Sequence, residues 1–222
     1  MNLKGKKVAV TGAGGFIGRN LLGSLAERGA KITGFDLPGV KPVEGKHISW
    51  IATDLSNETE VRASLADAEV VFHLAFPVSD WESEDKFIAA LKLSDLICRI
   101  AEEKAQRLIL TTSVVVYGDQ IGKGPIDEST PYGKSNGYYT EYKQKQEQNA
   151  IGHFHRAALD VRIVRPANVY GAGSKPWVVE VIKVLRQGLP ALIGDGKGRA
   201  GLIHVTNLVD ILLRVADRKS VV

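Results

Sequence analysis

A tyrosine and a lysine four residues apart are well spaced in this sequence to move a proton. Tyr139 and Lys143 belong to the run Tyr-Thr-Glu-Tyr-Lys, inside a segment whose pattern predicts a helix. Residues at this spacing lie on the same side of a helix. Because an ammonium group favours a nearby phenolate, we expect Lys143 to lower the pKa of Tyr139 and let it exchange a proton near neutral pH. Many helices carry this pair by chance, so it needs support from other residues.

A serine upstream of this pair can complete a proton-handling set. Ser113 comes just after the predicted strand Arg107–Thr111, where its hydroxyl can bind a substrate carbonyl or alcohol oxygen beside Tyr139. Two other tyrosines compete for the role. Tyr132 and Tyr138 have an asparagine and a tyrosine four residues later, instead of a lysine. The three groups together suit hydride transfer between an alcohol and a ketone.

Near the N-terminus, a glycine turn joins an apolar strand to the start of a helix. Glycines let the backbone turn tightly and approach a phosphate, while the new helix directs free N–H groups at the anion. We therefore predict a dinucleotide pyrophosphate site here. Its predicted contacts are Gly12, Gly15, Phe16, Ile17 and Gly18.

An aspartate at the end of the second predicted strand suits the adenosine ribose. Asp36 lies eighteen residues after Gly18, where a carboxylate can accept both ribose hydroxyls and repel a 2′-phosphate. Since no lysine or arginine directly follows it, we expect NAD as the cofactor, with NADP less favoured.

Strand-like and helix-like runs alternate along the chain. Short runs rich in valine and isoleucine, apolar on both faces, are typical of a parallel sheet that helices cover on both sides. We predict an α/β doubly wound parallel sheet of the Rossmann type. The predicted strands are Lys7–Thr11, Lys31–Phe35, Ile48–Ala52, Val70–Leu74, Arg107–Thr111 and Val161–Arg165; the predicted helices are Gly15–Arg28, Glu58–Ala66, Glu84–Lys104 and Gly137–Ala157.

After Pro166 the composition changes to a stretch rich in glycine, serine and asparagine. A helix over Pro176–Gln187 and a last helix ending near Asp217 are expected beyond it. We therefore divide the chain into a dinucleotide-binding domain, residues 1–166, and a small, incomplete C-terminal substrate lobe, residues 167–222.

Composition narrows the class of protein. The 222 residues carry a net charge of +4, with 29 basic and 25 acidic side chains dispersed along the chain. A nucleic-acid partner is not expected, because its binding surface would cluster the basic residues. No apolar run is long enough to span a membrane and no signal peptide is recognised, so a cytoplasmic location is the default expectation. One cysteine excludes an internal disulfide, and no metal site is indicated; His153 and His155 lie on different helix faces with no obvious carboxylate partner.

These motifs, in this order, resemble those of the extended short-chain dehydrogenase/reductases, and most closely the NAD-dependent epimerase/dehydratase group. The resemblance covers nearly the whole chain. It rests on Thr11-Gly-Ala-Gly-Gly-Phe-Ile-Gly18, Asp36, Asp54-Leu55, His73-Leu-Ala75, Thr111-Thr-Ser-Val-Val-Val-Tyr-Gly118, Tyr139-x-x-x-Lys143 and Arg165-Pro-Ala-Asn-Val-Tyr-Gly171.

The resemblance implies roles for further residues. The implied cofactor contacts are Asp54 and Leu55 beside the adenine, Leu74, Ala75 and Thr111 along the cofactor, Tyr139 and Lys143, and Pro166 at the nicotinamide end. The implied substrate contacts are Ser113, Val114 and Asn168. His73 is interpreted as a structural histidine at a strand end. A homodimer built from helices 84–104 and 137–157 is also implied.

The reaction stays open between several possibilities. Sugar 4,6-dehydratases of this family place an acidic pair just after the serine position, where this chain has Val114 and Val115, so dehydration is disfavoured. An epimerase or an oxidoreductase acting on a sugar nucleotide or related secondary alcohol is our leading hypothesis. A ketoreductase similar to the hydroxysteroid dehydrogenases or flavonoid reductases is an alternative. A non-catalytic NAD(P)-binding sensor or scaffold is the alternative of another class.

Overall fold

Six parallel strands form the central sheet of the computed structural model, which describes residues 3–55, 57–76, 84–104, 107–157, 159–189, 195–198 and 200–217. The strands follow the order β3-β2-β1-β4-β5-β6, and every neighbouring pair is parallel. The predicted doubly wound parallel sheet is therefore confirmed. The strands are β1 (Lys7–Thr11), β2 (Lys31–Asp36), β3 (Ile48–Ala52), β4 (Val70–His73), β5 (Arg107–Thr111) and β6 (Asp160–Val164).

Helices cover both faces of this sheet. Each of the first four begins and ends within one residue of its predicted bounds. Glycine and asparagine at the helix ends, and apolar residues at helical spacing between them, mark these limits. None of the described helices is long and apolar enough to cross a membrane. The helices are α1 (Phe16–Glu27), α2 (Glu58–Leu65), α3 (Glu84–Lys104), α4 (Tyr138–Ala157), α5 (Glu180–Arg186) and α6 (Val205–Asp217).

The hydrophobic core has one layer on each face of the sheet. Helices α1 and α6 pack over one face, where Leu21, Leu25 and Leu212 meet the side chains of β1, β2, β4 and β5. Helices α2, α3 and α4 cover the other face, with Ile97 and Leu65 in its interior. Burial on both faces explains why the strands are continuous apolar runs rather than alternating ones.

The segment after β6 contains more regular structure than its composition indicated. Strands β7 (Asn168–Tyr170) and β8 (Leu202–His204) form a second, two-stranded parallel sheet. The helix expected over Pro176–Gln187 begins as a π-helical turn, Lys175–Val179, and continues as α5. Helix α6, which the sequence assigned to the second lobe, packs against α1 and the main sheet. The division at residue 166 stays a prediction.

Helices α3 and α4 pack side by side and share a buried polar contact. The side chain of His153, 4% exposed, lies between two carboxylates of α3: its Nε2 is 3.1 Å from Asp95 Oδ1, and its Nδ1 contacts Glu102 Oε1. The sequence indicated no carboxylate partner for His153, and this expectation was wrong. The carboxylates are 58 and 51 residues distant in the chain, so only helix packing brings them together.

Close backbone contacts around the turn between β1 and α1 require glycines at two positions. Gly12 has a φ of 68°, and a Cβ there would lie 2.8 Å from the backbone nitrogen of Ala75. A Cβ at Gly18 would clash with the carbonyl oxygen of Gly12 and lie 2.8 Å from Ala13. The turn can therefore keep its shape only without side chains at these points.

We expect Gly18→Ala to destabilise the protein by about 1–3 kcal/mol, because the added methyl group forces the turn away from the helix. Gly23→Ala is the matched control, since Gly23 is exposed on the same helix and a Cβ there meets nothing within 4 Å. That change should stabilise by about 0.5–1 kcal/mol, because alanine is the better helix former. Thermal or denaturant unfolding measures both effects. Equal stabilisation by the two substitutions would contradict the close contact.

Candidate cofactor and active site

The glycine turn leaves the first turn of α1 open to a ligand. The N-cap residue Gly15 has extended backbone angles, and no described side chain caps the helix. Its amide binds back to the carbonyl oxygen of Gly12 at 3.1 Å, which closes the turn. The amides of Phe16, Ile17 and Gly18 follow at the positive end of the helix dipole. The first amides of this helix are not capped by a side chain, and the glycines of the turn carry none that could block them. A helix start of this kind fits the pyrophosphate of a dinucleotide.

Asp36 lies at the end of β2 and directly faces this turn. Its Oδ2 accepts a hydrogen bond from the amide of Gly14 at 2.7 Å, and its Oδ1 accepts one from the amide of Leu37 at 2.9 Å. The carboxylate is therefore held against the glycine turn. Arg19 also contributes here, since its guanidinium donates to the carbonyl oxygens of Gly14 and Lys41. The sequence analysis missed Arg19, which follows the glycine pattern directly.

Ser113 and Tyr139 lie close together at the carboxyl end of β5, near enough for the serine hydroxyl to lower the pKa of the phenol. The Oγ of Ser113 also accepts the amide of Val115 at 3.3 Å, at the start of a 3-10 helical segment, Val114–Gln120. The competing tyrosines lie elsewhere. The hydroxyl of Tyr132 donates to Glu147 at 3.0 Å, and Tyr138 is 41% exposed. Of the three candidate tyrosines, the structure thus brings Tyr139 to the serine.

The ammonium group of Lys143 lies beneath three aromatic rings. Its Nζ is 4.7 Å from the ring centroid of Phe76, 5.1 Å from that of Tyr142 and 5.9 Å from that of Tyr139. Ring faces attract a cation, so this cage partly replaces the water that burial removes. Phe76 was missed by the sequence analysis, although it directly follows Ala75 in the motif after β4.

Two oxygens accept hydrogen bonds from this ammonium group. Lys143 Nζ donates to Gln146 Oε1 at 3.1 Å and to the carbonyl oxygen of Thr111 at 3.4 Å. Gln146 in turn donates to Ser94 Oγ on α3 at 3.2 Å. The lysine ammonium therefore lies between α4 and the end of β5, alongside the tyrosine ring.

Burial changes the expected electrostatics of the pair. Desolvation raises the pKa of Tyr139, and the hydrogen bond from Ser113 opposes this rise. Burial lowers the pKa of Lys143 to about 7, against the opposing charge of Glu147. The expectation that Lys143 lowers the pKa of Tyr139 differs from the structure, in which burial raises that pKa. The reason is that removal from water disfavours the charged forms of both groups.

His73 is a fully buried neutral group beside this cluster. Its Nδ1 lies 2.7 Å from Thr11 Oγ1, which also accepts the amide of Ala75 at 3.3 Å. Desolvation, followed by the charge of Lys143, lowers the pKa of His73 to about 3. The histidine thus joins the ends of β1 and β4 by a hydrogen bond and stays uncharged at neutral pH.

The other candidate contacts lie along the same edge of the sheet. Leu74 and Ala75 follow β4, and the amide of Leu74 binds the carbonyl oxygen of Thr11 at 3.1 Å. The carbonyl oxygen of Pro166 accepts the amide of Val114 at 3.1 Å, which sets these two residues side by side. Strand ends at one edge of a parallel sheet form the usual ligand crevice.

The structure gives three further candidates, Asp54, Leu55 and Asn168, surroundings that the sequence did not indicate. Asp54 is exposed after β3, whereas Leu55 is 5% exposed and packs in the core over α2 and α3. Asn168 begins β7, and its side-chain amide donates to the carbonyl oxygen of Ala200 at 2.5 Å. Within the described ranges, no group of three or more His, Cys, Asp or Glu is placed to hold a metal ion.

Comparison with known protein families agrees with this geometry. Residues 8–222 match the model of the NAD dependent epimerase/dehydratase family. The chain belongs to this family. The resemblance inferred from the motifs, and NAD as the cofactor of the family, are confirmed.

Individual relatives differ in what they act on. The sterol-4-alpha-carboxylate 3-dehydrogenase (decarboxylating) of Mus musculus is 29% identical over 232 residues, which cover 98% of this chain and 61% of the relative. The Bordetella bronchiseptica enzyme WbmH in complex with NAD+ has the same fold, with a TM-score of 0.84 and 21% identity over 96% of this chain and 73% of that one. MoeE5 in complex with UDP-glucose and NAD has a TM-score of 0.80 and 25% identity, over 95% of this chain and 72% of that one. The chain spans about three fifths of the length of the first curated relatives that it matches.

Replacing Lys143 with methionine should stabilise the ligand-free protein. The pKa of Lys143 is lowered from 10.5 to about 7 in the fold, so the unfolded chain binds more protons between these values. The cost of burying the charge is complete below about pH 7 and disappears as the pH rises toward 10.5. The gain in free energy of unfolding from Lys143→Met should therefore be largest at or below neutral pH and shrink in alkaline buffer.

Thermal unfolding over this pH range measures the effect. Lys145→Met is the matched control, since Lys145 is exposed two residues later on the same helix. It should change stability little at any pH. A Lys143→Met gain that does not depend on pH would show that the lysine is not buried as a charge.

Proposed function

We propose that this chain is the NAD-binding, catalytic part of an epimerase or oxidoreductase that oxidises a secondary alcohol or reduces the matching ketone. The proximity of Ser113, Tyr139 and Lys143 carries the proposal, because it places two proton-bearing hydroxyls beside a buried lysine. All three groups follow or face the carboxyl end of β5, at the edge of the sheet that also holds the glycine turn. Neighbouring strand ends thus bring a proton-transfer set close to a dinucleotide cradle.

Each residue has a distinct role in the proposed reaction. NAD supplies the acceptor or donor of hydride when it is bound. Ser113 Oγ donates to the substrate oxygen and orients it, while the Tyr139 hydroxyl takes or returns the proton of that oxygen. Lys143 stabilises the phenolate once its ammonium turns from Gln146 toward the tyrosine hydroxyl and the cofactor ribose. The aromatic cage and Gln146 keep it close until then.

Asp36 supports NAD rather than NADP as the partner of this site. Its carboxylate is held by two backbone amides at the ribose position, where a 2′-phosphate would meet a negative charge. Arg19 lies nearby, but two carbonyl oxygens occupy its Nε and Nη2.

A nucleotide sugar is the substrate class that we favour. MoeE5, at 25% identity, is described with UDP-glucose, and its similarity covers 95% of this chain. The sterol dehydrogenase of Mus musculus supports a second candidate, a hydroxysteroid-like alcohol, for the same catalytic set. Val114 and Val115 supply no acid or base next to Ser113, which argues against elimination of water as the reaction.

The phenol of Tyr139 is expected to be essential for turnover. Tyr139→Phe should lower kcat by about 100-fold or more, because proton transfer by a placed group contributes at least that much. The NAD dissociation constant from calorimetry should stay nearly unchanged, since the ring is kept. Turnover is measured on UDP-sugars, GDP-sugars and 3β-hydroxysterols, by NADH absorbance and by product analysis for epimers.

Tyr138→Phe is the matched control, since this exposed neighbour should retain full activity. Full activity in Tyr139→Phe would disprove the catalytic assignment. NAD binding without turnover of any compound in the panel would support the non-catalytic sensor or scaffold instead.

We also propose that two copies associate through α3 and α4. Ile88 on α3, with Ile151 and Phe154 on α4, are each at least 38% exposed although they are large and apolar. Exposed apolar side chains on neighbouring helices are typical of an interface.

Light scattering should therefore report a dimer, and Phe154→Asp should shift it toward a monomer by placing a charge in the interface. Lys145→Asp, an exposed change on α4 away from these apolar side chains, controls for the altered charge. A wild-type monomer at micromolar concentration would contradict the dimer.

A further inference from the structure

A fully buried carboxylate lies one helical turn beyond Lys143. Glu147 is 0% exposed, and three side chains donate hydrogen bonds to it. Thr112 Oγ1 lies 2.5 Å from its Oε1, and the Tyr132 hydroxyl lies 3.0 Å from its Oε2. The guanidinium of Arg165 reaches both oxygens, with Nη2 2.6 Å from Oε2. Both oxygens are thus satisfied, as a buried anion requires.

Two of these donors are sequence neighbours of residues in the proposed active site. Thr112 directly precedes Ser113 at the end of β5, and Arg165 directly precedes Pro166 at the end of β6. Glu147 itself belongs to α4, the helix of Tyr139 and Lys143. One carboxylate therefore links the ends of two strands to the helix whose side chains must meet them.

The guanidinium has its own support, which prevents it from moving away. Arg165 Nη1 donates to the hydroxyl of Tyr117 at 2.8 Å, and that hydroxyl donates to the carbonyl oxygen of Asp127 at 2.8 Å. The rings of Tyr117 and Tyr132 lie 5.1 and 5.8 Å from the guanidinium carbon. Any shift of Glu147 would thus break several contacts at once, since networks of this kind act together.

We propose that Glu147 is a positioning residue: through Thr112 it sets Ser113 against Tyr139, and through α4 it keeps Lys143 in register with both. The inference rests on the proposed function, because it assumes that these three side chains handle the proton. Glu147 does not touch the reacting atoms, which lie beyond Ser113 and Tyr139.

The charge of Glu147 also acts on Lys143. Burial lowers the pKa of Lys143, and the negative charge of Glu147 raises it again. The other titratable or charged groups around the pair are Arg165 from the end of β6, Tyr132 from the loop before α4, His73 from β4, and Tyr139 and Tyr142 on α4. His73 is neutral, so Glu147 is the negative partner of this lysine among the described side chains. Without it, Lys143 should lose its proton at lower pH.

Thr112→Val is the primary variant, because removing the buried carboxylate itself can destabilise the fold. Valine matches threonine in shape and removes only the hydroxyl that joins β5 to Glu147. We expect kcat to fall by about 10- to 100-fold with little change in KM, since small misplacements of catalytic groups cost this much. The melting temperature should fall by roughly 3–10 °C, because a buried hydrogen bond to a charged group is lost, so kcat is compared at a temperature at which both proteins are fully folded.

Two substitutions of Glu147 distinguish the effect of its charge from the effect of its side-chain length. Glu147→Gln should lower kcat and move the loss of activity at alkaline pH to lower pH. Glu147→Asp keeps the charge but is too short to hold Thr112 and Arg165 together, so kcat should fall while the pH profile stays in place. Glu141→Gln is the matched control, since Glu141 is exposed on the same helix and should change neither quantity.

The ionisation of Tyr139 provides a readout that needs no substrate. The ultraviolet absorbance of each variant is measured as a function of pH, with and without the additional change Tyr139→Phe. The difference between the two curves gives the ionisation midpoint of Tyr139. Thr112→Val and Glu147→Gln should raise its midpoint by about one pH unit, because Ser113 no longer supports the phenolate. A merely structural role of Glu147 would leave the midpoint in place.

The outcomes distinguish this inference from the proposed function. If Tyr139→Phe abolishes turnover while Thr112→Val and Glu147→Gln keep both kcat and the Tyr139 midpoint, the positioning role is overturned and the catalytic set stands. If Tyr139→Phe keeps turnover, the proposed function fails, and the Tyr139 midpoint alone then decides whether Glu147 positions the serine. A raised midpoint supports the positioning role, and an unchanged one overturns it.

Discussion

The parallel pairing of the six central strands is the constraint on which the rest of this structure depends. Because every strand runs in the same direction, the residues that follow β1, β2, β4, β5 and β6 all arrive at one edge. The glycine turn, Asp36, Ala75, Ser113 and Pro166 are distant in sequence and become neighbours only through this arrangement.

Two titratable groups of opposite charge are buried beside this edge, and they are treated differently. Glu147 accepts hydrogen bonds from Arg165, Thr112 and Tyr132. Lys143 has two oxygen acceptors and three aromatic rings, which only partly replace water, and burial lowers its pKa to about 7. A poorly supported cation close to a ligand site is costly in the free protein. Such a group gains stability when a ligand gives it better partners, which suits a residue that has to move.

Local patterns predicted much of the fold and part of the candidate site. The bounds of α1 to α4 followed from periodic apolar residues, and the turn at Gly12 to Gly18 followed from its spacing. The sequence analysis missed Phe76, because its contact with Lys143 depends on how the end of β4 meets α4. It also missed Gln146, which is on the same helix as Lys143 and whose further bond to Ser94 depends on how α3 meets α4. It also missed the pairing of β7 with β8, since three-residue strands carry too little periodicity to stand out from a loop.

The direction of the pKa shift at Tyr139 shows where reasoning from residue types ends. Spacing alone placed Tyr139 and Lys143 on one side of a helix, and that is the limit of what a helical repeat determines. Whether the ammonium faces the hydroxyl or the ring, and how much water reaches either, depends on Ser113, Phe76 and Ser94, which belong to other elements. The sequence by itself determined the cofactor cradle, the family and the chemical groups available. Only the tertiary structure decided their charges and contacts, because burial and long-range partners set the electrostatics of a side chain.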